Sequence, residues 1–289
     1  PADPEPSFEP SPEQAAFQAV PLSERDHDPK GGILLTEDED ISPVLEHSFS
    51  RQGITVLTGA GVTGVETTSK GLTIKVKKDG VEQALDCEKV LVAVGVQGNI
   101  EDLGLEELSI ETANGSIKVD GQMSTNVPGV YAIGDVTGEL ALAHAASAQA
   151  VVAVEHIAGM ETQALDYVMM PRATYCQPQI GSFGLTEAQA REQGNEIRVG
   201  TFNVQANGKA LAMGESEGIV KLVVDGRHGE LLGGHMIGPE VTELLGELAM
   251  TRLLEGTTLE LGWAVHPHPS ISEMLKEAAL SAEGRAIHM

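Results

Sequence analysis

Between residues 41 and 49 the apolar side chains recur on one face. Ile41, Val44, Leu45 and Phe49 follow helical spacing, and Asp38, Glu39 and Asp40 place acidic residues ahead of the first turn. Gly53 stops the helix, and residues 54–57 (Ile-Thr-Val-Leu) read as a strand. Residues 72–76 alternate apolar and polar, Asp79-Gly80 signals a hairpin turn, and residues 81–85 return as the partner strand. Two continuous apolar runs follow, at residues 89–95 and 130–135. Runs of that length bounded by glycine predict strands of a parallel sheet, buried on both faces. A helix of small residues is expected over 140–158.

From about residue 167 the texture changes. Strands are expected at 180–183, 197–202, 218–224 and 231–237, then helices at 239–255 and 270–282. Alternating elements followed by strands and then helices predict an α/β region joined to an α+β domain. Residues 1–32, rich in Pro, Glu, Ser and Asp, show no sustained period and read as a disordered tail, with a short helix over 12–20 its one candidate element.

Composition narrows the function. A length of 289 residues fits about two domains. Aromatics are 3%, so aliphatic side chains must build the core. A net charge of −25 argues against nucleic acid and anionic membranes as partners. No run approaches the ~18 apolar residues of a membrane span, and the first residues lack a signal-peptide pattern. A cytoplasmic protein is expected. Cys87 and Cys176 form no CxxC or CxxxxC pair and no zinc-site spacing, so no metal site is expected and both read as ordinary thiols.

Gly59-Ala60-Gly61-Val62-Thr63-Gly64 spells GxGxxG after an apolar run. A phosphate cradle needs a helix to open at the last glycine, so that its N–H groups meet the pyrophosphate. The residues that follow, Val65 to Thr68, are mostly β-branched, and the motif reads as a plain loop.

The strongest local signal is His266-Pro267-His268-Pro269-Ser270-Ile271-Ser272-Glu273. Ser270 and Glu273 have the spacing of a capping box, which would fix Glu273 near the loop carrying His268. A carboxylate beside an imidazole favours its protonated form and fixes its tautomer, as general acid–base chemistry requires. On spacing alone, a helix start with two surface histidines explains the motif equally well.

The segment His-x-His-Pro-Ser-x-Ser-Glu resembles the active-site signature of the dihydrolipoamide dehydrogenases, a class of pyridine nucleotide–disulfide oxidoreductase. Pro267 stands where the family usually has alanine. The resemblance implies that His268 exchanges a proton with the dithiol and that Glu273 orients it. Residues 125–136 resemble the second flavin-contact motif of the same superfamily, implying that Asp135 binds FAD. Ala141, Leu142, Ala143 and His144 resemble its flavin-ring segment. Val62 and Gly95 fall where the family contacts NAD, although Gly95-Val96-Gln97-Gly98-Asn99 lacks the usual arginine and proline. Residues 171–174, 180–187 and 233–239 resemble the family's dimerisation domain.

The resemblance therefore implies a partial Rossmann-like FAD/NAD(P)-binding region followed by an α+β dimerisation domain. Its expected divisions are the tail (1–32), the C-terminal half of an NAD-binding domain (33–104), a central FAD-contacting segment (105–166) and the dimerisation domain (167–289). The implied activity is that of dihydrolipoyl dehydrogenase, passing electrons from dihydrolipoamide through FAD to NAD. The implied partners are a second copy of the chain and the lipoyl domain of a 2-oxo acid dehydrogenase complex or glycine cleavage system. The flavin-binding unit and the redox CxxxxC pair would lie upstream, so this chain alone is expected to be inactive. The alternatives are a non-catalytic dimerisation or binding module and another disulfide reductase of the superfamily.

Overall fold

A computed structural model describes residues 32–34, 36–69 and 71–288. The expected tail, with its candidate helix at 12–20, lies outside the described residues except for Gly32. The described residues up to Val94, together with those from Pro171 onward, form one compact unit, and Gly95–Met170 form a second.

In the first unit, helix α1 spans Ile41–Arg51, with Ile41 and Leu45 buried as the spacing requires. Strands β1 (Gly61–Thr68), β2 (Gly71–Lys78) and β3 (Val81–Cys87) make an antiparallel sheet in the order β1-β2-β3. The turn between β2 and β3 is the expected Asp79-Gly80, both residues at positive φ. The GxGxxG motif opens no helix. Its second half is the start of β1.

The second unit is smaller. It holds the two-residue strands β4 (Thr112–Ala113) and β5 (Ser116–Ile117), one 3₁₀ turn at Gly134–Thr137, and helix α2 (Ala143–Ile157). Leu105, Ile110, Ile117 and Ala132 form one small core, and Met123, Val152 and Ala153 another.

From residue 171 the chain returns to the first unit. Its elements are β6 (Arg172–Thr174), β7 (Gln179–Gly184), α3 (Glu187–Glu192), β8 (Ile197–Asn203), α4 (Gly208–Met213), β9 (Ile219–Asp225), β10 (Leu231–Gly238), α5 (Val241–Leu253), α6 (Thr258–Trp263) and α7 (Glu273–Ala282). The five strands pair antiparallel in the order β6-β7-β10-β9-β8. Both faces of this sheet are covered. Ile180 and Ile237, a cross-strand pair, pack with Ile41 and Leu45 of α1. The next pair, Gly181 and Met236, points the other way, and a Cβ on Gly181 would meet Leu245 of α5. Double burial is why β9 and β10 read as near-continuous apolar runs.

A buried ionic cluster joins α1's start to the sheet. Lys221 on β9 is 1% exposed, and its Nζ lies 2.8 Å from Asp38, 2.6 Å from Asp40 and 2.8 Å from Glu187. Burial pushes the ammonium's pKa down, but the three carboxylates outweigh it and hold it above the usual lysine range. Beside it, burial holds His235 below the usual imidazole range, with its Nε2 on the Leu185 carbonyl.

Three expected strands differ. Residues 54–57 form no strand, and the Ile54 N–H donates to the Phe49 carbonyl at 2.9 Å. Residues 90–95 are irregular, with Leu91 86% and Val92 75% exposed. The run at 130–135 makes a single bridge, Tyr131 to Ser124, and then winds into the 3₁₀ turn. The last two were expected to lie in a parallel sheet, and all strand pairing among the described residues is antiparallel. Without parallel neighbours their backbone groups turn to water or to local partners.

Candidate active site

His268 and Glu273 are brought together. His268 Nδ1 lies 3.0 Å from Glu273 Oε1 and 3.3 Å from Oε2, with the imidazole 79% exposed and the carboxylate 27%. Glu273 Oε2 also accepts the Ser270 N–H at 2.8 Å. Burial pushes the Glu273 carboxyl up, but the Ser270 N–H and the His268 ring outweigh it and hold it below the usual carboxylate range. The carboxylate is thus an ionised, doubly held acceptor. It leaves His268 Nε2 as the ring nitrogen that faces outward chemistry.

The capping box forms by half. Glu273 reaches back to the Ser270 N–H, but Ser270 Oγ bonds Ser272 Oγ at 3.1 Å, and α7 starts at Glu273 rather than at residue 270. The His268–Pro269 bond is cis.

His266 does different work from His268. Its side chain is 7% exposed, and its Nε2 lies 2.8 Å from Glu247 on α5. This pair pins the loop ahead of His268 to α5. No local pattern marks Glu247, which lies 19 residues upstream in an ordinary helical stretch.

In the second unit, Asp135 sits exposed in the 3₁₀ turn. Gly134 has a φ of 75°, and its N–H donates to the buried Gln149 Oε1 of α2 at 2.6 Å. Gln149 Nε2 in turn donates to the Tyr167 hydroxyl at 2.9 Å. Gln149 was not anticipated, since a lone glutamine in a helix of alanines and valines carries no chemical signature. Ala141, Ala143 and His144 are exposed and Leu142 half-buried at the N-terminus of α2. A Cβ built on Gly134 would be 3.5 Å from Ala146, so the Asp135 turn and the start of α2 line one surface. A carboxylate, first-turn N–H groups and small side chains suit a polar, planar cofactor, and the residues present fit part of a flavin site.

The nucleotide contacts are sparser. Val62 is 47% exposed on β1, and Gly95 stands in open irregular chain at φ 127°. Gly98, in the stretch that lacks the family's arginine and proline, is buried, and its Cβ would lie 2.6 Å from Val136 Cα. Among the described residues no glycine-rich turn opens a helix, so none of them forms a pyrophosphate cradle.

Residues 30–150 match the family model described as pyridine nucleotide-disulphide oxidoreductase, and residues 170–279 match that family's dimerisation domain. The chain belongs to the pyridine nucleotide-disulphide oxidoreductase family. Members of this family use FAD and NAD(H). Curated relatives named dihydrolipoyl dehydrogenase include those of Rhizobium etli (46% identical, covering 89% of this chain and 54% of the relative) and Mycobacterium leprae (48%, covering 87% and 54%). Among solved structures, LpdA of Mycobacterium tuberculosis superposes with a TM-score of 0.78 at 27% identity, over 86% of this chain and 53% of that one. The flavoprotein disulfide reductase RclA of Escherichia coli, at 24% identity and a TM-score of 0.79, shares the fold over 91% of this chain and 58% of that one. The chain spans about half the length of the curated relatives it matches. No helix among the described residues is long and apolar enough to cross a membrane.

Proposed function

We propose that this chain supplies the acid–base and dimerisation half of a dihydrolipoyl dehydrogenase. The observation that carries the reading is the His268–Glu273 pair on an exposed loop, set in the motif that the family uses for proton exchange. His268 takes the proton of a dithiol substrate on Nε2, while Glu273 fixes the tautomer through Nδ1 and stabilises the imidazolium that forms. Asp135 and the Ala141, Leu142, Ala143 and His144 segment would hold FAD, whose role when bound is to carry electrons between the thiols and NAD. Val62 and Gly95 are the candidate NAD contacts.

Neither cysteine suits dithiol exchange. Cys87 and Cys176 are both free, and Cys176 donates to the Pro178 carbonyl at 3.1 Å. Burial raises the Cys176 thiol above its ordinary range, which disfavours the thiolate that exchange requires. A redox pair is therefore needed from residues outside this chain, which also keeps a non-catalytic dimerisation module as the second reading.

A homodimer is the natural assembly. Met250, Leu253 and Leu254 of α5's end, with Trp263 and Val265 ahead of His266, expose 52–92% of their surface. Such a concentration of apolar side chains supports a self-associating face. A lipoyl domain would deliver the substrate, and a cytoplasmic location suits that partner.

The test is the flavin absorbance of the purified chain with added FAD, then NADH formation from dihydrolipoamide and NAD. Both are measured with and without the upstream half of a curated relative. The reading expects turnover only with the added half, and a loss of roughly 10²–10⁴-fold in His268→Gln. Full turnover by that variant would refute it.

A further inference from the structure

Gln149 lies in the middle of α2 and is 1% exposed. A buried amide costs free energy unless both of its ends are paired, and here both are. Its Oε1 accepts the Gly134 N–H at 2.6 Å. Its Nε2 donates to the Tyr167 hydroxyl at 2.9 Å and lies 3.4 Å from Thr137 Oγ1. Gly134 and Thr137 are the two ends of the 3₁₀ turn that carries Asp135. The Thr137 hydroxyl closes that turn on the Gly134 carbonyl at 2.8 Å, and the Gly138 N–H donates to the Asp135 carbonyl at 3.1 Å. Thr137 is buried and Asp135 exposed. The inner side of the turn thus rests on one glutamine, while the outer side presents the carboxylate.

We propose that Gln149 is a positioning residue of the candidate flavin site, fixing the turn that carries Asp135 against the helix that carries Ala143 and His144. The proposal rests on the reading of those residues as FAD contacts. The two contact segments belong to different elements, and a cofactor that touches both needs their spacing set before it binds. Otherwise its binding must also order the turn, and affinity falls. Gly134 sits at φ 75°, where its freedom leaves the turn several conformations, and the bond from its N–H selects one. An apolar side chain at 149 would fill the same space but leave that N–H without its partner. A water molecule would satisfy the N–H but would not tie it to α2.

The experiment measures FAD affinity by quenching of flavin fluorescence, in the full chain with the upstream half of a curated relative present. Thermal melting checks that each variant is folded. Asp135→Ala should weaken FAD binding by about tenfold or more. Gln149→Met keeps the volume and removes both polar ends, and it should weaken binding by roughly threefold or more. Gln149→Glu keeps an acceptor for Gly134 and offers its second oxygen to the Tyr167 hydroxyl, so it should stay within about twofold of wild type. The double variant Asp135→Ala/Gln149→Met should lose less than the product of the two single losses, because a residue acting through Asp135 has less left to position. If Gln149→Met does not fold, Gln149→Asn replaces it, since one methylene fewer draws the amide back from Gly134. Unchanged affinity in the Met or Asn variant, a Glu variant as weak as either, or a double variant that loses the full product overturns the proposal and leaves the Asp135 reading standing. Unchanged affinity in Asp135→Ala, or no FAD binding by the wild-type pair, overturns that reading and this inference with it.

Discussion

Two apolar runs of similar composition meet opposite fates. Residues 219–224 (Ile-Val-Lys-Leu-Val-Val) become β9, with Val220, Leu222, Val223 and Val224 fully buried. Residues 90–95 (Val-Leu-Val-Ala-Val-Gly) stay irregular, with Leu91 and Val92 largely exposed. Local propensity does not separate them, since both are rich in β-branched residues. Supply of neighbours does. β9 lies between β8 and β10, and β10 follows it through a short turn. A strand of a parallel sheet needs partners delivered by long crossovers, and none lies beside residues 90–95 among those described. Apolar sequence thus states a demand for burial, and topology decides whether it is met.

The widest break in that comparison should come from Lys221→Met. It removes the cation that compensates the buried Asp38, and about 3–5 kcal/mol of stability should go with it, read as a fall in urea midpoint. A loss below 1 kcal/mol would mean that the cluster is solvated in solution. Leu222→Ala should cost about 2–5 kcal/mol by the same measurement, since the site is fully enclosed.

Acid should act through the same cluster. Asp38 is held below its usual range: burial raises it, and the Lys221 ammonium and the Glu187 N–H outweigh burial. Glu187 is lowered chiefly by Lys221 and then by Arg191. Groups with depressed folded values add stability that is present above their ordinary values, 3.8 and 4.5, and is lost as pH falls through the folded ones. Thermal midpoints should therefore drop below about pH 4.5, and Lys221→Met should flatten that drop.

The smallest effect sharpens the comparison most. Leu91→Ser should change stability by no more than about 0.5 kcal/mol, and amides 90–95 should exchange with deuterium far faster than those of β9 and β10. Protected amides at 90–95 would show that this run finds strand partners in solution.

Much of the α+β half was legible in sequence. Its strands are bounded by turn signals, and β9 and β10 pair across a short turn, whereas β7 finds β10 only across the intervening α3, β8, α4 and β9. The hairpin at Asp79-Gly80 and the helix at Ile41 were equally plain. The His268–Glu273 pair was legible because five residues and a helix start bring its two members together. The expected capping box was half right, because the Ser270 hydroxyl found Ser272 instead of the helix.

Sequence by itself determined the local features: which faces are apolar, where the chain turns, and which short motif sets an imidazole beside a carboxylate. These follow from rotamer, dihedral and hydrogen-bond preferences acting over a few residues. Tertiary structure alone decided the rest. Glu247 meets His266 across 19 residues, Gln149 reaches Gly134 across 15, and Asp38 meets Lys221 across 183. None of these partners is marked by spacing, because a buried polar group takes whichever counterpart the fold delivers to it. The same holds for residues 90–95, whose burial depends on strands that the sequence pattern can call for but not supply.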